Sequence, residues 1–195
     1  MNFRHSRLAA AASLMAAVMV GTVTAADAST VAREHGFATQ ARAAGLTSSQ
    51  AQELQDRIDT RLAELGGVQT AANEISLPNG SELLLPLPGE VRARDLDAPR
   101  QTKNVQAPDS CAFHTFCAYY REHFMGEVLR QKLCDELLTV PGSWSGPGSW
   151  SNNQSTGTVA RMYDDRDMLV YTTRGAYSED RTGNWSSIYW VDACN

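Results

Sequence analysis

The stretch Tyr119-Tyr120-Arg121-Glu122-His123-Phe124-Met125-Gly126 decides how the rest of the chain is read. Two aromatics stand five residues apart, and a glycine follows the second after one spacer. That spacing suits a folded hairpin: the aromatics pack over the turn, and the glycine takes a backbone conformation that other residues hold only under strain. Short extended segments surround it. His114–Tyr120, Arg121–Arg130, Gly157–Tyr163, Asp167–Thr173 and Trp185–Val191 read as strands, with turns at Asp164-Asp165, Arg174-Gly175 and Thr182-Gly183. Glu127–Leu138 is ambiguous, because its leucine spacing also fits a short helix.

The hairpin sits in an aromatic-rich half. All four cysteines, all four tryptophans and all six tyrosines lie in residues 109–195, whereas the first 108 residues hold only Phe3 and Phe37. The chain opens with Arg4 and Arg7, an apolar run Leu8–Val20 and small residues 24–28, the layout of a secretory signal peptide over 1–28. Export would oxidise Cys111, Cys117, Cys134 and Cys194. Of the three connectivities, Cys111–Cys117 with Cys134–Cys194 pairs a short clip with a long tie, contributing about 2 and about 4 kcal/mol in the chain-entropy model. Zinc on Cys111, His114, Cys117 and His123 is disfavoured by export and by the ligand spacing. No metal and no cofactor is expected. The formal net charge of −5 disfavours nucleic acid and anionic membranes as partners.

The front half reads as a small α+β region. A capping box at Thr47–Gln50 starts a helix whose apolar face is Leu54, Ile58, Leu62 and Leu65, and Gly66-Gly67 stops it. A weaker helix precedes it over about Val31–Ala44. Ala72–Leu77 and Glu82–Leu87 form a hairpin about Pro78-Asn79-Gly80. Residues 88–108 read as a linker, with Arg92, Arg94, Arg100 and Lys103 open to cleavage. Two readings of 29–87 remain: a propeptide removed outside the cell, or a permanent accessory domain.

The aromatic–glycine arrangement Tyr119, Phe124, Gly126 resembles the signature of the βγ-crystallin Greek key. In that motif a later serine secures the hairpin; Ser155 is the candidate here, with Ser186 or Ser187 in a second, degenerate copy around Trp185, and Trp150 and Trp185 mark the two similar endings. Calcium-binding members carry paired Asn/Asp and Ser/Thr; Ser151-Asn152-Asn153-Gln154-Ser155-Thr156 departs from this at its first position, which weakens a calcium site. Phe116-Cys117-Ala118-Tyr119, Gly126, Gly148-Ser149-Trp150, Asn152–Ser155, Gly175–Ser178 and Cys194 are together similar to the secreted metallopeptidase inhibitors of filamentous actinobacteria, over about 109–195. The resemblance implies an all-β double Greek key, thermolysin-like zinc peptidases as partners, a rigid exposed loop as the contact, and a monomer. Cys134-Asp135 parallels the family's scissile bond beside a half-cystine but does not match it motif for motif; another candidate is Val140–Trp150, where prolines stiffen a repeated Gly-Ser-Trp-Ser unit and Trp144 and Trp150 either fill a protease subsite or cap the core. An enzyme reading fares poorly: in Gly142–Gly146 serine occupies the second and fourth positions, not the third. The alternatives are an extracellular module binding glycan or calcium, and a structural secreted protein.

Overall fold

The computed structural model describes residues 36–96, 108 and 110–195. The expected signal peptide and the cleavage positions Arg100 and Lys103 lie outside the described residues. A helix α1 covers 36–43 and α2 covers Ser48–Leu65. At its start Thr47 Oγ1 accepts the Gln50 N–H while the Gln50 side chain accepts the Thr47 N–H, so the capping box forms as expected. Gly66, at φ 71°, closes the helix. Among the described residues no helix is long and apolar enough to cross a membrane.

Among the described residues eleven strands follow: β1 Val68–Ala71, β2 Glu74–Ser76, β3 Glu82–Leu84, β4 Thr115–Arg121, β5 Met125–Gln131, β6 Leu138–Thr139, β7 Pro147–Asn153, β8 Arg161–Tyr163, β9 Leu169–Thr172, β10 Ser178–Asn184 and β11 Trp190–Asp192. They form two antiparallel sheets, ordered β1-β2-β3-β5-β4-β7-β10 and β6-β11-β8-β9. Within the back half, β4, β5 and β7 share a sheet with β10, while β8, β9 and β11 share the other with β6. Each run of four strands thus lends its third strand to the opposite sheet. Glu127–Leu138 resolves as strand, loop and strand.

The first sheet crosses the boundary that composition suggests. β3 pairs with β5 through Leu83↔Leu129 and Leu84↔Val128. α2 lies over β1 and β2, and one buried cluster joins Leu54, Ile58, Ile75 and Leu83 to Phe116, Leu129, Trp144 and Val191. Among the described residues, those of 29–87 and those of 109–195 thus share a sheet and a core. The first part of the expected linker is also fixed. Gly126 N–H donates to Val91 O at 2.8 Å, and Asp95 pairs with Arg130 at 2.9 Å.

Electrostatics tie the halves as well. Arg61 of α2 faces Glu127 of β5, Nε to Oε1 at 3.1 Å and Nη2 to Oε2 at 2.9 Å. Arg130, 4 % exposed, reaches Glu74, Glu82 and Asp95 at 2.8–2.9 Å. Burial dominates at Glu74 and holds its carboxyl above the usual range, against the pull of Arg130.

Candidate functional site

β4 and β5 meet in the hairpin anticipated from the sequence. The Tyr119 and Phe124 rings stand edge to face with centroids 5.1 Å apart. His123 and Phe124 take φ of 58° and 62°, and Gly126 takes 79°, so a left-handed turn folds Phe124 back over the strand. A Cβ on Gly126 would sit 3.2 Å from Tyr120 Cβ, which adds a steric reason for glycine there. Burial raises the Tyr119 hydroxyl pKa well above its ordinary value, and Ser110 Oγ lies 3.1 Å from that hydroxyl.

The serine that secures this hairpin is Ser149, not Ser155. Ser149 Oγ donates to Arg121 O at 2.6 Å and accepts the Phe124 N–H at 2.9 Å. Register explains it: β7 pairs with β4 so that Ser149 stands opposite Tyr119, at the root of the turn. Ser155 lies beyond the end of β7, its Oγ 3.2 Å from His114 Nδ1. The second hairpin, β8–β9, is closed by its own Asp164, whose Oδ1 accepts the N–H groups of Arg166 and Met168 at 2.9 Å. These bonds hold the Asp164 carboxyl below its usual pKa. Ser186 instead uses its N–H to cap Asn184. Thr182-Gly183, expected as a turn, lies inside β10, where the register shifts between Asp180 and Gly183. Trp185–Ile188 is a turn, and only Trp190–Asp192 is strand.

The disulfides pair Cys111 with Cys117 and Cys134 with Cys194. Trp150 stacks on Phe116 with centroids 6.3 Å apart, and Trp144 packs between Tyr120 and Trp185. Both are buried, at 4 % and 1 % exposure. Of the two roles open to these tryptophans, the packing is that of core caps. Within Val140–Trp150, Pro147–Trp150 belongs to an internal strand, and Ser143 Oγ is engaged by Glu64 of α2 at 3.1 Å. In Ser151–Thr156, Asn152 Nδ2 donates to Thr158 O and Asn153 Nδ2 to Cys111 O, both at 2.9 Å. These amides therefore work as turn fasteners.

The loop that stands clear is Lys132–Leu137, between β5 and β6. All six residues are exposed, including Leu133 at 49 % and Leu137 at 45 %. It is nonetheless held at several points. The buried Gln131 side chain bridges its arms: Oε1 accepts the Leu133 N–H and Nε2 donates to Glu136 O, each at 3.2 Å. Cys134 is bonded to Cys194. The front hairpin supplies the outer brace. Asn79 Nδ2 donates to Leu137 O at 2.8 Å, while Asn79 Oδ1 is fixed by the Ser81 hydroxyl at 2.6 Å. Leu133 lies over Gly80, where an added Cβ would approach its Cδ1 to 2.5 Å. Lys132 Nζ pairs with Glu82 at 3.0 Å. Sequence did not place this loop, since Cys134-Asp135 lacks the family's motif, and it carried no signal for the brace, because Asn79 reads only as a turn residue.

Compared with protein-family models, with curated proteins and with solved structures, the chain finds no match.

Proposed function

We propose that this chain is a secreted βγ-crystallin-like inhibitor of thermolysin-like zinc peptidases, and that Lys132–Leu137 is the segment it presents to the protease cleft. The observation that carries the reading is that every residue of that loop is exposed while the loop is fastened at several points. A segment already fixed in an accessible shape loses little conformational entropy on docking. Leu133 and Leu137 offer apolar side chains to a hydrophobic subsite. Were a bond between them cut, Gln131, Asn79 and the disulfide would keep both new ends close to their original places, which slows product release.

The crystallin reading is supported by the exchange of third strands between the two sheets and by the Tyr119–Phe124 corner with its serine fastener. The two disulfides suit an oxidising compartment. The test is titration of an active thermolysin-like peptidase with the oxidised full chain. Activity should fall linearly to an end point near one inhibitor per enzyme. Unchanged activity at large excess, together with retention on insoluble glycan, would favour the binding-module alternative instead.

A further inference from the structure

The two disulfides live in different environments. Cys111 and Cys117 are 3 % and 0 % exposed, inside the cluster formed with Tyr119, Phe124 and Val128. Cys134 is exposed and Cys194 half-buried, on a surface cleft lined also by His114, Lys132, Gln154 and Ser155. A disulfide exchanges only if a thiolate can reach one of its sulfurs. That condition is met at the second bridge and not at the first.

We propose that Cys134–Cys194 is a thiol-exchange site whose substrates are low-molecular-mass thiols, and that it opens in the folded protein while Cys111–Cys117 stays closed. The thiolate attacks the sulfur of Cys134, the more exposed of the two residues; Gln154 Oε1 lies 3.0 Å from Cys194 Sγ. One S–S bond forms between the small thiol and Cys134, the Cys134–Cys194 bond breaks, and Cys194 leaves as a thiolate that takes a proton from water. A second equivalent of thiol then attacks the mixed disulfide, releasing Cys134 as a thiol and the small thiol as its own disulfide. Two thiols are oxidised and one protein disulfide is reduced.

The segment after β11 has fastenings besides this bridge. Asn195 and Val159 exchange backbone hydrogen bonds at 2.8 Å in both directions, and Gln154 Nε2 donates to Ala193 O. The loop Lys132–Leu137, by contrast, loses its covalent tether. Resting on the inhibitor reading given above, opening the bridge makes the thiol a regulator: the loosened loop binds a protease about tenfold more weakly, as ordering it again costs free energy.

The experiment exposes the oxidised full chain to graded glutathione, quenches with an alkylating agent and maps peptides by mass. The expected result is a glutathione adduct on Cys134 with Cys111 and Cys117 still joined, at unchanged far-ultraviolet circular dichroism. Opening of both bridges together, or of neither until the chain unfolds, overturns the proposal. The mapping involves no protease, so an adduct on Cys134 in a chain that inhibits nothing refutes the inhibitor reading and upholds the exchange site.

Discussion

Arg130 and Glu74 lie 2.9 Å apart across 56 residues of sequence, joining β5 of the aromatic half to β2 of the front hairpin. Glu82 and Asp95 complete the set around the same guanidinium. Replacing Arg130 by Met removes the cation that Glu74, Glu82 and Asp95 share, although Glu82 keeps Lys132. The expected loss is about 3–5 kcal/mol, read by denaturant unfolding, because a partnerless buried charge costs far more than the pair contributes. If the front half were merely attached, the loss would be negligible.

Glu74 responds to pH with a definite sign. Its folded pKa is raised by burial, so the ionised form is the disfavoured one in the native state. Wild type should therefore gain stability relative to Glu74→Gln as pH falls from the raised folded value to the ordinary carboxylate value, and lose that gain as pH rises again. Unfolding curves for both chains across the acidic range check the direction.

Ser149→Ala removes one acceptor and one donor at the hairpin root, leaving the buried Phe124 N–H without its partner. A loss of about 1–3 kcal/mol is expected. Ser155→Ala, at an exposed hydroxyl, should fall within about 0.5 kcal/mol of wild type. Equal effects would contradict the assignment of the fastener.

What sequence made legible was local. The capping box at Thr47 needs only four neighbouring residues, and the corner at Tyr119–Gly126 only eight. The cysteine pairing followed from compartment and loop length. What stayed hidden depended on register between distant strands. Pro147-Gly148-Ser149 looks like loop, yet it lies in an internal strand because Trp185 fills the space a side chain would need. A Cβ on Gly148 would lie 2.0 Å from Trp185 Nε1, and that indole donates to Tyr119 O at 2.7 Å. β10, with Glu179, Asp180 and Arg181, is an edge strand whose charges mask its periodicity. The pairing of β3 with β5 has no local signature at all.

Gly148→Ala should thus be severely destabilising, whereas Gly142→Ala, with open space around it, should be tolerated. Comparing the two melting temperatures isolates the steric term, since both replace a glycine by the same residue.

Asn79→Ala tests the brace from the front hairpin. It deletes the bond to Leu137 O and the support for Ser81. Amide hydrogen exchange over 132–138 should quicken several-fold while exchange in β4 and β7 is unchanged. Unaltered exchange in the loop would show that the front hairpin does not hold it.

The central claim is that Lys132–Leu137 is the contact. It is tested most directly by titrating a thermolysin-like peptidase in parallel with wild type and with a chain carrying Leu133→Asp and Leu137→Asp, both oxidised and shown to melt alike. The account predicts stoichiometric inhibition by the wild type and none by the variant. Equal inhibition by both would contradict it, and so would a wild type that leaves the enzyme untouched.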